Sequence, residues 1–420
     1  MSNVATDIEV IPGTGLGRHC RWIPSARSAL LLAGLSVAVG ALSPALAVTS
    51  PCLVPARLGD GWETVGAAEA QIDADALCEL LHTVAGGPDN LHSLLIARSG
   101  HLVAELYRKG RDRSARDFFS RELSFGPGDP HDMRSISKSV VGLLFGIVRE
   151  DGRLPALSTP VVDLYPGYPT LTLEPARRSI TIEHLLTMSS GLEWHETAAT
   201  YGSFSNDETR LFWDWSPIKF VLSRPMVDPS GQKFSYNGGN TAVIADLLER
   251  ATGTSLDQLA RSRLFEPLGI TDYAWLGDLW GRAMAYAGLR LKPRDLLRIG
   301  QMMLNHGRWQ DRQIVPAEWV TQSIRPHIAT GRGAGNGYGY YWWTGDIDWQ
   351  GRKLSWSAAV GNGGQRLFLV PALDLVVVMT AGAYNDPGIV AKEGDLLKQV
   401  VATVQPWSGE AGPVSSGDVK

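Results

Sequence analysis

The runs that read as strands lie at the two ends of the chain, and the helical patterns lie between them. "HSLLIARSGHLVAELY" (92–107) reads as two strands turning at Ser99-Gly100. "YGYYWWTG" (338–345), "RLFLV" (366–370) and "LDLVVVMTAG" (373–382) are aromatic or β-branched and read as adjacent antiparallel strands. From about 160 to 290, "TIEHLLTMS", "TAVIADLLERATG" and "LDQLARSRLF" carry helical spacing, punctuated by turn residues. Further helices are expected over 71–85, from the serine-rich stretch at 131 to about Val148, over 293–307 and over 394–404. The economical solution is an α/β (α+β) domain spanning 67–405: an antiparallel sheet flanked by helices and built from both chain ends. Its α/β part covers about 67–160 and 290–405, and a helical insertion covers about 160–290.

The ends of the sequence read differently. Arg18, Arg21 and Arg27 precede the apolar run "ALLLAGLSVAVGAL", which closes on Ala45-Leu46-Ala47, an A-x-A cleavage signature. Residues 1–47 therefore read as a signal peptide, which places the protein in a secreted or periplasmic location. The run is short for a span and no stop-transfer charges follow, so no stable membrane span is expected after cleavage. Residues 48–66 read as a linker, and the Gly/Ser-rich end, 406–420, as a disordered tail. Cys52 and Cys78 either pair in an oxidising compartment or remain as two buried thiols. No Cys-x-x-Cys or His/Cys cluster suggests a metal, and no cofactor is implied. A net charge of −4 lacks the basic footprint of a nucleic-acid binder.

The chemistry concentrates in "HDMRSISKSVVGLLFG" (131–146), where Ser135, Ser137 and Ser139 crowd around Lys138. Successive helical side chains rotate by about 100°, so residues three apart share a face. Only Ser135 meets Lys138 that way; Ser137 and Ser139 diverge from it. Lysine activates a serine only if its ammonium gives up a proton, and burial beside "VVGLLFGIV" is expected to depress the pKa. A nucleophile at a helix start also faces the positive end of the dipole. Alone, S-x-x-K is equally a polar helix start.

The stretch does not stand alone. "SISKSVVGLLFG", "ITIEHLLTMSSGL" (180–192), "GQKFSYNGGNTAVIADLLERATG" (231–253), "LFEPLGI" (264–270), "AYAGLRLKPRDLLRIGQMML" (285–304) and "VGNGGQRLFLVPALDLVVVM" (360–379) follow one another in order. Together they resemble the serine β-lactamase-related hydrolase family over roughly residues 70 to 400. That family includes class C β-lactamases, D-alanyl-D-alanine peptidases, secreted esterases and 6-aminohexanoate-dimer hydrolases, the last being the most similar in appearance. The resemblance implies a β-lactamase/transpeptidase-like fold, with the site in the cleft between the α/β part and the helical insertion. It also implies Ser135 as nucleophile, Lys138 as its base and Tyr236 as the tyrosine of a Tyr-x-Asn element. Here that element reads Tyr236-Asn237-Gly238-Gly239, so the third position is glycine. Either Asn237 substitutes in binding the substrate amide or that contact is missing. A phenol beside an ammonium is expected to have its pKa lowered.

The third family element, Lys-Thr-Gly, is absent. Gly361-Asn362-Gly363-Gly364-Gln365 stands in its place, and by resemblance an amide in Gly364–Gln365 joins that of Ser135 in an oxyanion hole. The segment is no phosphate loop, since no G-K-[ST] follows. Without the cation, the site is poorly equipped to grip the carboxylate of a β-lactam. In "GLEWHETAATYGSFSNDETRLFWDW" (191–215), Trp194, Tyr201 and Trp213 either shape the substrate pocket or pack the surface of the insertion. His195 reads as a surface residue and His131 as a loop residue without a role. No G-x-S-x-G elbow supports an α/β-hydrolase.

The expected function is that of an exported serine hydrolase, cleaving ester or linear amide bonds of small substrates through an acyl-enzyme. The rivals are a β-lactamase or D-alanyl-D-alanine peptidase and, from another class, a non-catalytic binder of peptides or cell-wall fragments.

Overall fold

In the computed structural model, residues 52–406 are described, apart from 116, 118 and 332–335. The expected signal peptide, residues 48–51 of the expected linker and nearly all of the expected tail lie outside the described residues. The frame is a nine-stranded sheet. Its strands are β1 (Glu63–Thr64), β2 (Leu91–Arg98), β3 (His101–Tyr107), β4 (Ile328–Ala329), β5 (Gly337–Tyr338), β6 (Trp343–Trp349), β7 (Arg352–Gly361), β8 (Gln365–Val370) and β9 (Leu375–Ala381). They run in the order β1-β3-β2-β9-β8-β7-β6-β5-β4, so strands from both chain ends meet at the β2–β9 pairing. All pairs are antiparallel except β1–β3.

β2, β8 and β9 are buried along their whole lengths, because helices cover both faces of the sheet. On one face Leu94, Ile96, Val377 and Met379 pack with Leu77, Leu81, Leu397 and Val401, from α1 (Ala74–Gly86) and the C-terminal helix (Ile389–Ala402). On the other face Leu95, Ala97, Val376 and Val378 meet the central helices. These are α2 (Ile136–Glu150), α3 (Asp207–Trp213), α4 (Gly238–Thr252), α5 (Pro293–Leu304) and α6 (Ala317–Ile324), of which α5 and α2 lie on the strands, α4 and α6 pack on α2, and α3 packs on α4. The C-terminal helix completes the set as α7.

The expected architecture holds, with three local corrections. Part of the expected linker already belongs to the fold: Glu63–Thr64 form an edge strand, and Trp62 is buried with its indole N–H on the Arg294 carbonyl at 3.2 Å. The aromatic run 338–345 is not one strand; Tyr341 takes φ 65° and breaks it between β5 and β6. The β6–β7 hairpin, turning at Gln350-Gly351, was not among the expected strands. Cys52 and Cys78 form a disulfide that ties the chain before the sheet to α1.

Helix α2 is buried from Ile136 to Val148 because a glycine notch admits its neighbour. Trp319 of α6 lies where a Gly146 side chain would be, its ring carbon 2.0 Å from the position of a Cβ, and its indole N–H donates to the Gly142 carbonyl at 2.8 Å. Alanine normally stabilises a helix interior by up to about 1 kcal/mol over glycine. Here overpacking reverses the sign: Gly146→Ala is expected to destabilise by about 1–3 kcal/mol, read as a lower melting temperature.

Candidate active site

Three serines follow one another at the start of α2, and the structure gives each a different partner. Ser135 is the N-cap residue, and its Oγ lies 3.0 Å from Lys138 Nζ. Ser137 Oγ donates to the Arg134 carbonyl at 2.6 Å and accepts the Leu289 N–H at 3.0 Å. Ser139 Oγ donates to the Tyr341 carbonyl at 2.7 Å. The spacing argument therefore selected the pair that meets.

Lys138 is almost completely buried, at 1% exposure. Its Nζ has four oxygen neighbours: Ser135 Oγ at 3.0 Å, the Tyr286 carbonyl at 2.9 Å, Glu196 Oε1 at 3.3 Å and Glu208 Oε2 at 3.3 Å. The Tyr236 ring centroid lies 4.8 Å from the same nitrogen, and the Tyr236 side chain engages both Ser135 and Lys138. Ser135, Lys138 and Tyr236 thus come together as expected.

The electrostatics differ from expectation. Burial alone pulls the Lys138 pKa down, but Glu196, Tyr236 and Glu208 outweigh it and hold the pKa above that of ordinary lysine. Tyr236 is likewise raised: burial of the phenol outweighs the nearby ammonium. The Lys138 expectation is corrected mainly by two carboxyl groups that the sequence reading did not place here, and the Tyr236 expectation first by burial of the phenol and then by the same carboxyl groups.

Their position follows from local hydrogen bonding. His195 and Asp207 clasp each other: the His195 N–H donates to Asp207 Oδ2 at 2.8 Å, and the Asp207 N–H to the His195 carbonyl at 2.9 Å. Asn206 caps α3 through the N–H groups of Glu208 and Thr209, and its amide donates to the carbonyls of Glu196 and Ala199, both at 2.9 Å. Glu196 and Glu208 are therefore brought side by side. Trp194 Nε1 (2.8 Å), the Gly238 N–H (2.6 Å) and Tyr201 Oη (3.2 Å) all donate to Glu196. The signal in the sequence was Gly238 itself: a Cβ there would lie 3.0 Å from Glu196 Oε2 and 3.0 Å from Glu208 Oε2.

The weaker site expectations divide. Asn237 is fully buried and caps α4, its Oδ1 accepting the Asn240 N–H at 3.2 Å, so its carboxamide is directed into the helix start. Trp194 is buried behind Glu196 and packs edge-on against Phe220. Tyr201 lines a cleft of about 170 Å³ with Arg113, Asn362, Tyr384 and Arg134, the residue that precedes the nucleophile in the chain. Trp213 is exposed at the end of α3 and His195 is exposed beside Glu193. His131 is buried in a two-residue strand rather than sitting in an open loop. Gly361 and Gln365 face each other at the β7–β8 turn, where Gly363 and Gly364 take φ 91° and 98°. A Cβ on Gly361 would lie 2.3 Å from the Met133 carbonyl, so this turn packs directly against the approach to Ser135. The Gln365 side chain is buried and its Nε2 donates to the Ala381 carbonyl at 2.5 Å.

A serine at a helix start, a lysine three residues on, a tyrosine over that lysine and a glycine turn beside them form one constellation. The family described as Beta-lactamase matches residues 92–400. The chain belongs to the Beta-lactamase family. Its members are serine hydrolases that include amidases and esterases. The chain is 26% identical over 313 residues to the 6-aminohexanoate-dimer hydrolase of Paenarthrobacter ureafaciens, covering 70% of this chain and 73% of the relative. In fold it is similar to EstCE1, a hydrolase with promiscuous acyltransferase activity (TM-score 0.58, 16% identity, 79% of this chain and 98% of that one). It is similar to a family VIII carboxylesterase to the same degree (TM-score 0.58, 15% identity, 78% and 96%).

Ser137 separates packing from chemistry. Ser137→Ala leaves the Leu289 N–H buried without its acceptor and is expected to cost about 1–3 kcal/mol of stability. Ester hydrolysis assayed well below the melting temperature is expected to keep most of its rate.

Proposed function

We propose that this protein is an exported serine hydrolase cleaving ester or linear amide bonds of small substrates through an acyl-enzyme on Ser135. The observation that carries the reading is the buried 3.0 Å contact between Ser135 Oγ and Lys138 Nζ, with Tyr236 beside both. Ser135 Oγ attacks the substrate carbonyl and its proton passes to Lys138. The first N–H groups of α2 have no intrahelical acceptor, so the Ser135 amide, with an amide of the Gly364–Gln365 turn, is suited to hold the oxyanion. Tyr236 delivers a proton to the leaving group and then helps draw one from water.

The choice of ester or linear amide over β-lactam rests on what surrounds the cleft. A glycine turn stands where the Lys-Thr-Gly cation would be. Arg134, which precedes the nucleophile in the chain and lines the cleft with Arg113, is engaged by Asp132 at 3.4 Å and by the Tyr384 ring, 4.5 Å from the guanidinium carbon. The relatives named for hydrolysis of a 6-aminohexanoate dimer and for carboxylesterase activity support the same choice. Export is supported by the A-x-A leader and by the Cys52–Cys78 disulfide, which suits an oxidising compartment.

The test is a panel of short p-nitrophenyl esters, linear amides, nitrocefin and a D-Ala-D-Ala peptide. Turnover of esters or linear amides, with little of the last two, is expected; preferred turnover of nitrocefin would overturn the substrate choice. Ser135→Ala is expected to lower kcat by at least about 10⁴-fold and to abolish labelling by a fluorophosphonate. Tyr236→Phe is expected to lower kcat by about 10²- to 10⁴-fold. A folded wild-type protein that takes no fluorophosphonate label would instead be a binder.

A further inference from the structure

Glu196 and Glu208 have no part in the serine–lysine–tyrosine scheme, yet they are the nearest charged groups to its lysine. Both lie 3.3 Å from Lys138 Nζ, with side-chain exposures of 0% and 11%. Two carboxylates and one ammonium in such a place would leave a net buried negative charge, which is costly. One proton shared by the pair removes it. The hydrogen bonds indicate where that proton rests. Glu196 receives donors from Lys138, Tyr201, Trp194 and Gly238, the last at the start of the 15-residue α4. Four donors and a helix N-terminus favour an anion. Glu208 has Lys138 and the Glu196 carboxyl as its side-chain partners, which suits the protonated form.

We propose that Glu196 and Glu208 are a proton-sharing carboxyl pair, filling the space left by the glycine of Tyr236-Asn237-Gly238, and that Glu196 takes the proton from Lys138 that frees it to act as base. In the resting site Lys138 is an ammonium, Glu196 a carboxylate and Glu208 a carboxylic acid. One proton moves from Nζ to Glu196 Oε1, giving a neutral amine and a second carboxylic acid, with no change in net charge. As the Oγ–C bond forms, the Ser135 proton moves to the Nζ lone pair and the carbonyl π electrons move to the oxyanion. Collapse of the adduct breaks the bond to the leaving group, which departs with a proton from Tyr236 or Lys138. Substrate seated in the cleft excludes water and so favours the neutral lysine–carboxylic acid pair over the ion pair.

The ionisable groups facing the pair are Lys138 from α2, Tyr201 from the loop before α3, Tyr236 from the loop before α4, and Tyr286. The directions of titration agree with the donor count. Burial acts to raise Glu196, but Lys138 and the hydrogen bonds hold it below the ordinary carboxylate range. Burial, then the charge of Glu196, lifts Glu208 well above that range. The acid limb of kcat/KM then belongs to the pair and falls where Glu196 ceases to be an anion.

This inference rests on the Ser135–Lys138 chemistry proposed above. Its test is the pH profile of p-nitrophenyl butyrate hydrolysis by wild type, Glu196→Gln and Glu208→Gln. In Glu196→Gln the remaining acceptor is Glu208. It loses the charge of Glu196 that raised it, but it is still buried and lacks the Trp194, Tyr201 and Gly238 donors of Glu196. It is therefore expected to bind its proton more tightly than Glu196 does in wild type. The acid limb is expected to move up by about one pH unit or more, an extra loss of about tenfold at its foot. In Glu208→Gln the glutamine keeps a neutral partner and removes a like charge, so the limb is expected to stay or move down. Two variants with the wild-type limb and a uniform loss of rate would make the pair mere packing and overturn the proposal, as would no loss in either. Should Glu196→Gln fail to fold, carboxyl NMR of ¹³C-glutamate-labelled protein decides. Glu393, whose buried carboxyl is raised to about 7, gives one protonated signal of its own at neutral pH. A second that disappears in Glu208→Gln supports the pair, and an unchanged set of protonated signals in Glu208→Gln overturns it. If Ser135→Ala still turns over ester, the underlying reading fails; if it is dead while the limbs do not move, only the carboxyl pair fails.

Discussion

A lysine ammonium buried to 1% exposure is the constraint around which this site is built. An isolated buried cation costs several kcal/mol, so the chain must surround it with acceptors or lose the charge. Three parts of the chain supply them: the N-cap of α2 through Ser135, the stretch from Glu196 to Glu208 through its two carboxyl groups, and the Tyr286 carbonyl. Their convergence fixes the insertion against the α/β part. The cation that the chemistry needs is therefore also a tether between the two halves of the fold.

Strain gathers at the same place. Arg134, immediately before the nucleophile, takes φ 50°; Met188, whose sulfur accepts the Asn237 N–H at 3.3 Å, takes φ 55°; Tyr341, whose carbonyl accepts from Ser139, takes φ 65°. Side chains in left-handed backbone are costly and persist only where neighbours over-determine them. Here the neighbours are the buried face of α2 and the start of α4. The rigid sheet supplies the remaining edge, since the β7–β8 turn abuts Met133 and cannot drift from Ser135 without opening a fully buried core. Preorganisation of this kind is what an oxyanion hole requires.

The parts legible in the sequence were those that depend on local periodicity. Apolar runs at both ends gave the sheet and the i, i+3 spacing gave Ser135 with Lys138, because helix geometry alone brings those two together. What escaped was long-range. Glu196 and Glu208 are twelve residues apart in a polar, aromatic segment with no period, and only the His195–Asp207 clasp makes them neighbours. Without them the lysine pKa was read with the wrong sign, since burial was counted and its compensation was not. Asn237 looked available for a ligand because capping is a matter of backbone direction, which the triplet Tyr-Asn-Gly does not disclose. The β6–β7 hairpin was hidden because "DIDWQGRKLSWSAAVG" mixes charge with apolar residues at the edge-ward side of the sheet.

The glycine at the third position of Tyr236-Asn237-Gly238 links these observations to substrate choice. An asparagine there would present a neutral amide to a ligand; its absence admits two carboxyl groups that point at the lysine instead. Several polar groups around the reacting serine are then held by the protein, Glu196 by four donors, Asn237 Oδ1 by α4, Gln365 Nε2 by Ala381 and Arg134 by Asp132, while Asn237 Nδ2 and Gln365 Oε1 are buried without a hydrogen bond. A substrate must be held by backbone amides at its carbonyl and by the shape of a small cleft lined by Tyr201 and Tyr384. Most of that lining is polar, with Arg113, Asp117 and Asn362 among it, so the cleft offers a small substrate hydrogen bonds as well as shape. The same glycine that gives the lysine its carboxyl partners thus leaves contact with a ligand to the backbone of the β7–β8 turn and to the side chains of that cleft.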